Sequence, residues 1–160
     1  FKGKKNLYRE VLRKRLAPIG EKRVAALKGV ISGKKKPDLR EVIHVFVSGF
    51  LGDMVSSKEA MNFLNLIHSE VSSKGVAVDV LIEEVIAPVQ GLMKEAILKA
   101  RPDFTEEKAA LCCMSIIGQT FQLVRGRPII RQMMGQAYDR KFVEKAIEHI
   151  VDFSLKGIMR

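Results

Sequence analysis

The stretch AALCCMSIIGQTFQLV, residues Ala109 to Val124, decides the fold of this chain. Its sixteen residues carry no charge, and its apolar side chains cover nearly the whole circumference of a helix. A helix that is apolar all round has to be covered on several sides. The stretch is too short, and too interrupted by polar residues such as Ser115 and Gln119, to span a bilayer. It therefore predicts a central helix that packs on its own domain and, on another side, against a partner chain.

Gly118 removes a side chain in the middle of this helix, at a cost of about 1 kcal/mol relative to alanine. Close approach of a second backbone would justify that cost, and a plain core helix in a monomer is the alternative. The last helix also has a wide apolar face, so we expect two helices from each chain to form a four-helix homodimer interface. The residues predicted to lie in this interface are Cys112, Ile116, Gly118, Gln119, Leu123, Ile147, Ile150, Val151 and Ser154.

The charge is concentrated at one end of the chain. Residues 1–36 contain 13 Lys or Arg and 2 acidic residues, whereas residues 37–160 contain 15 basic and 16 acidic residues. A basic end attracts polyanions through counterion release, although a solvated helix face is the common alternative. The length of 160 residues suits one domain, and neither a signal peptide nor a membrane-spanning run is found, so we expect a cytoplasmic protein. A first residue other than Met suggests a fragment of a longer protein.

Apolar residues recur at helical spacing along the chain, and no stretch alternates with a period of two, which predicts an all-α fold. Pro18 and Pro88 fall inside predicted helices and should kink or break them. Asp103 and Asp139 stand at the expected N-caps of the central and last helices. The helices are predicted over residues 1–31, 37–54, 56–71 and 78–99, then the central helix, a short piece reaching residue 134, and a last helix over 139–155.

The chain lacks the patterns of common catalytic and metal sites. The three histidines are not at metal-ligand spacing, and no nucleophile elbow, phosphate-binding glycine loop or paired carboxylates are found. Cys112 and Cys113 are neighbours, which suits reduced, buried side chains better than a disulfide or a metal site. The sequence therefore predicts no enzyme activity, no metal and no cofactor.

Flexible and aromatic apolar residues are frequent on the second, third, fourth and central helices, and such residues can line an adaptable cavity. Ordinary core packing is the alternative. A cavity would be mainly apolar, with His44 or His68 orienting a ligand by hydrogen bonding, and the kink at Pro88 would open space between helices. Its predicted lining is His44, Val47, Phe50, Met54, Met61, Leu64, His68, Val85, Val89, Met93, Cys113, Ile117 and Phe121.

The opening pattern F-x-G-K-x-x-L-Y-x-x-V-L, from Phe1 to Leu12, resembles the junction of TetR-family transcriptional regulators, where the DNA-reading helix ends and the first helix of the regulatory domain begins. Gly118-Gln119 and Arg127-Pro128 are similar to the subgroup related to CecR. The resemblance implies a TetR-type regulatory domain over residues 1–160, in which residues 1–6 are the remnant of the junction to an N-terminal helix-turn-helix absent from this sequence.

The same resemblance implies what this domain does. It would be the effector-binding and dimerising part of a repressor that binds operator DNA through the missing helix-turn-helix. Lys4, and less strongly Lys5, would approach a DNA phosphate at the start of the first helix. A small apolar or amphipathic effector would shift the tilt of that helix. The alternative is a free-standing helical module that binds a lipid-like ligand or a protein and faces a membrane with its basic end.

Overall fold

The computed structural model describes residues 3–56, 75–135 and 138–160, and the side chains of residues 53–56 are not described. Every regular element in these ranges is helical, which confirms the predicted all-α class. The helix predicted over residues 56–71 lies outside the described residues except for residue 56, which ends the preceding helix. The elements are α1 (Lys4–Ile31), α2 (Leu39–Ser56), α3 (Val76–Leu81), a π-helical turn (Ile82–Ile86), α4 (Ala87–Ala100), α5 (Glu106–Arg125), α6 (Arg127–Met134) and α7 (Arg140–Met159).

Helix α1 starts at the predicted turn and runs without interruption. Gly3 precedes it with a φ of 98°, a left-handed conformation that favours glycine. Pro18 was predicted to kink or break this helix, and α1 continues through it without a break. Proline deprives the carbonyl four residues earlier of its donor. The carbonyl concerned here is that of Lys14. Because Lys14 and Pro18 both lie on the exposed side of α1, water can donate a hydrogen bond to it.

The second interior proline has a different consequence. Pro88 is the second residue of α4, directly after the π-helical turn Ile82–Ile86, which joins α3 to α4. The backbone N–H of Ala87 donates to the carbonyl of Ile82, five residues earlier. The rod from α3 to α4 therefore contains a widened turn where the sequence predicts a kink.

The caps of α5 and α7 were predicted with mixed success. Asp139 caps α7 as predicted, since its carboxylate accepts a hydrogen bond from the backbone N–H of Phe142 at 2.8 Å. The cap of α5 is Thr105, whose hydroxyl accepts from the N–H of Lys108 at 3.1 Å, so the prediction of Asp103 was wrong. Asp103 instead accepts two hydrogen bonds from Arg101, at 2.9 and 2.8 Å.

Two buried clusters hold the helices together. The smaller one joins the first half of α1 to α3 and the π-helical turn through Leu12, Leu16, Ala77, Val80 and Val85. The larger one lies among the end of α1, α2, α4, α5 and α7. Helix α5 contributes one face to it, consisting of Ala109, Cys113, Ile116, Thr120 and Val124. In the described part of the chain, none of the helices is long and apolar enough to cross a membrane.

Candidate functional site

An aromatic cluster lies on α2 between its contacts with α1 and with α5. The Phe50 ring of α2 is 5.0 Å from the Phe121 ring of α5 and 6.2 Å from the Phe46 ring, measured between centroids. The guanidinium carbon of Arg23 on α1 lies 4.2 Å from the centroid of Phe50, which is cation–π geometry. This Arg23–Phe50–Phe121 stack links α1 through α2 to the central helix.

The structure brings most of the predicted cavity-lining residues that it describes into the larger core cluster. Val47, Val89, Met93 and Cys113 are buried there beside Phe50, and Ile117 and Phe121 pack against them with partial exposure. Val85 belongs instead to the smaller cluster beneath the π-helical turn. Met61, Leu64, His68 and the side chain of Met54 lie outside what the structure describes.

His44 does not join this group. Its imidazole is 47% exposed, and its Nε2 lies 3.4 Å from a carboxylate oxygen of Glu148 on α7. Arg40, one turn earlier on α2, pairs with Glu148 and with Asp152. This face of α2 is therefore turned toward α7 and carries a polar network. The sequence did not predict this orientation of His44, because apolar spacing alone does not distinguish the two flanks of a helix.

A cleft between α1 and α2 adjoins the aromatic cluster. Its volume is about 50 Å³, and its walls are mainly apolar, with two cationic residues of α1 among the lining. Arg23 was not among the predicted site residues. The signal was present, since Leu16, Gly20, Arg23 and Leu27 follow helical spacing and place a cation in a row of buried positions. The lining residues are Lys22, Arg23, Ala26, Leu27, Val45, Phe46 and Gly49.

The surface between α5 and α7 differs in detail from the predicted dimer interface. Ile116, Ile147, Ile150 and Val151 are at most 7% exposed, so they already pack inside the protomer. Cys112, Gln119 and Leu123 are partly exposed, and the Ser154 Oγ is buried with no hydrogen-bond partner among the described residues. A side chain at Gly118 would meet nothing within 4 Å in the protomer, so nothing inside one chain requires glycine there.

The apolar residues that α5 and α7 leave exposed are Leu111, Met114, Phe153 and Met159, at 51–63% of full exposure. An open groove of about 280 Å³ runs between the two helices. Leu111, Cys112 and Ile116 contribute its α5 side and Phe153 contributes to its α7 side. This groove and its exposed apolar rim form the candidate dimer surface.

Lys4 and Lys5 lie in the first turn of α1, where both are exposed. The turn contains no acidic residue, so two cations face the positive end of the helix dipole without a local counter-charge. Such a placement is unfavourable within the chain and suits contact with an external anion.

Two chemical features of the described residues concern metal binding and the reactivity of a thiol. No group of three or more His, Cys, Asp or Glu side chains among them could hold a metal ion. Burial raises the pKa of the Cys113 thiol to about 12, which disfavours the nucleophilic thiolate.

Comparison with known proteins gives one match. The family model described as "HTH-type transcriptional dual regulator CecR, C-terminal domain" matches residues 39–158. No curated protein and no solved structure matches the chain significantly. The matched range begins with α2 and ends in α7, so it contains Phe50, Phe121 and the candidate dimer surface apart from Met159.

Proposed function

Because the chain belongs to the family of the C-terminal domain of the HTH-type transcriptional dual regulator CecR, we propose that it is the effector-binding and dimerisation domain of a TetR-type transcriptional repressor. The observation that carries this proposal is the Arg23–Phe50–Phe121 stack. Through Arg23, it places α1, which would carry the DNA-binding heads, in direct contact with the candidate ligand site. This site is the part of the larger core cluster around Phe50, Met93 and Phe121.

The effector is a small apolar or amphipathic molecule. The described wall of the site consists of phenylalanine, methionine and aliphatic side chains, which can rearrange around apolar ligands. Arg23 is the polar group at its edge, so an amphipathic ligand would direct its polar end toward α1.

The effector acts by shifting a population. A ligand changes an equilibrium only by its difference in affinity for the two states. A molecule inserted beside Phe50 and Phe121 would separate the rings that connect α1 to α5, and thereby favour a different tilt of α1. In a dimer that tilt would alter the spacing of the two DNA-binding heads, with Lys4 and Lys5 near the phosphate backbone.

Binding of the neutral fluorescent probe N-phenyl-1-naphthylamine tests the ligand site. We expect saturable fluorescence enhancement and a higher Tm for the parent chain. In Phe50→Leu, which keeps an apolar side chain, we expect weaker binding because the aromatic contacts of the stack are lost. Phe153→Leu, on the exposed side of α7, is the matched control and should bind as the parent does.

Absence of saturable binding to the parent would contradict a ligand site. Equal weakening by Phe50→Leu and Phe153→Leu would place the site elsewhere, since the two substitutions remove the same groups from different surfaces.

A further inference from the structure

Helix α1 and the π-helical turn approach each other more closely at Gly20 than any side chain would permit. A Cβ built on Gly20 would lie 1.9 Å from the backbone carbonyl oxygen of Glu84 and 3.0 Å from its carbonyl carbon. The obstructing atoms belong to the backbone, so no rotamer change can relieve the overlap. The carbonyl oxygen occupies the place of a side chain at position 20, and a Cα hydrogen of Gly20 points toward it.

Pro88 explains why this carbonyl is available. In an α-helix the carbonyl of Glu84 would accept from the N–H of residue 88, and proline has no N–H. The π-helical turn Ile82–Ile86 accommodates the proline by widening the backbone at this point. Pro88 and Gly20 are thus complementary, because one frees a carbonyl and the other admits it.

Ion pairs hold the same contact from the side. Arg13 of α1 donates to the carboxylate of Glu84 at 2.7 Å and lies 3.4 Å from that of Glu83. Arg9 donates to Glu83 at 2.8 Å. The hydrogen bond to Glu84 is the main reason that the pKa of Arg13 is raised. Both arginines are partly exposed, so they orient α1 on the turn more than they stabilise the chain.

We propose that this contact is the pivot that sets the tilt of α1. We call it the α1 joint, and it consists of Gly20, the π-helical turn, Arg9 and Arg13. The rod that carries the turn continues into α4, where Val89 and Met93 belong to the cluster of the candidate ligand site. A displacement of α4 moves the Glu84 carbonyl, and α1 must follow it because there is no free space at Gly20. Gly20 and Pro88 are positioning residues, and their role in signalling rests on the proposed function.

The test measures the orientation of α1 in the ligand-free chain. Nitroxide labels at Arg15→Cys on α1 and Lys99→Cys at the end of α4 are placed in a Cys112→Ser background, where buried Cys113 stays unlabelled. Distances are measured by double electron–electron resonance after dilution with unlabelled chain. In Gly20→Ala the new Cβ must move from 1.9 Å to the 3.4 Å of an ordinary contact, so α1 must leave the turn by about 1.5 Å at this point and the peak should shift by an amount of that order.

The matched control is Gly29→Ala, also on α1, where a Cβ meets nothing within 4 Å. Its distance should equal that of the parent, and its Tm should rise slightly because alanine favours the helix. Pro88→Ala is the second variant, since it restores a donor to the Glu84 carbonyl and should also shift the distance. If Gly20→Ala does not fold, the distance measured in Pro88→Ala tests the α1 joint instead.

A folded Gly20→Ala chain with the distance of Gly29→Ala would overturn the α1 joint, even if its Tm were lower. An unchanged distance in Pro88→Ala would overturn it as well. The outcome is independent of ligand binding: shifted distances without binding of the naphthylamine probe would retain the joint and contradict the proposed function.

Discussion

At the scale of single residues, burial decides the chemistry of the adjacent cysteines. Cys113 is fully buried, and its pKa of about 12 results mainly from desolvation of the thiolate. In Cys112→Ser we expect the remaining thiol to be unreactive toward 5,5′-dithiobis(2-nitrobenzoic acid) at pH 8 until the chain is unfolded in guanidinium. Stoichiometric reaction of the native variant within minutes would contradict this. The corresponding Cys113→Ser variant reports the reactivity of Cys112.

The Arg101–Asp103 pair makes a pH-dependent contribution to stability. The hydrogen bonds from Arg101 are the main reason that the pKa of Asp103 falls from its usual 3.8 to about 2. A carboxyl whose pKa is lower in the folded chain stabilises it above the unfolded pKa, and this contribution disappears as the pH falls from about 4 to 2. Arg101 also donates to the carbonyl of Ile158, so the pair connects the α4–α5 loop to the end of α7.

We therefore expect Asp103→Asn to lower the Tm at pH 7 and the difference from the parent to be much smaller at pH 2, where about half of the folded carboxyls are protonated. Thermal melts followed by circular dichroism at pH 7, 4 and 2 measure it. Glu21→Gln, at an exposed position of α1, is the control and should follow the parent throughout. A difference that persists undiminished at pH 2 would show that the asparagine acts through packing rather than through charge.

At the scale of secondary structure, the N-caps give a graded prediction. Asp139 accepts from the N–H of Phe142, and Thr105 accepts from the N–H of Lys108. Asp139→Ala and Thr105→Ala should each lower the free energy of unfolding by about 1 kcal/mol, whereas Asp139→Asn should change it by a few tenths because asparagine caps equally well. Urea denaturation measures these values. Equal losses for Asp139→Ala and Asp139→Asn would refute a capping role.

The elements also show what the sequence could predict. Helical spacing was sufficient to predict α1, α2, α5 and α7 as helices, because their apolar residues recur with the helical period. It did not predict burial residue by residue, since Val11 on α1 and Phe153 on α7 are 49% and 63% exposed. Asp103 was misassigned because the sequence gives the cap spacing but not the competing arginine two residues away. The π-helical turn was not predicted either, since it depends jointly on Pro88 and on the distant Gly20.

The sequence predicted most residues of the candidate site correctly, but it was less successful in predicting which side of each helix faces the site. Phe50, Met93 and Phe121 belong to one cluster, as their apolar character suggested, but His44 faces α7. Ile147 and Val151 were expected between chains and pack within one. On a helix with a wide apolar face, the sequence does not tell which half meets its own domain, because that depends on where the neighbouring helices lie.

At the scale of the whole molecule, internal pairing reduces the basic excess of the first 36 residues. Arg9 and Arg13 face the carboxylates of Glu83 and Glu84, and Lys34 pairs with Glu41. The sequence count therefore overstates the charge that α1 offers to a polyanion. Lys4 and Lys5 lie at the exposed N-terminal end of α1, apart from these ion pairs, so the proposed phosphate contact would rest on them.

The exposed apolar rim of the α5–α7 groove leads to the prediction of a symmetric dimer. Leu111, Met114 and Phe153 are each more than half exposed on two adjacent helices, and an apolar surface that crosses elements in this way marks an interface. A twofold axis would bring like surfaces together and form a four-helix arrangement. The groove side of α5 includes Cys112 and Gln119 from the predicted interface, while Gly118 has open space that a partner backbone could approach.

Sedimentation velocity at micromolar concentration should show a dimer for the parent chain and a monomer for Phe153→Glu, because the substitution introduces a charge into an apolar contact. Val11→Glu is the matched control: Val11 is 49% exposed on α1, so this variant should remain dimeric. Circular dichroism verifies that both variants are folded. A parent chain that sediments as a monomer would contradict the dimer, and dissociation by Val11→Glu alone would move the interface to α1.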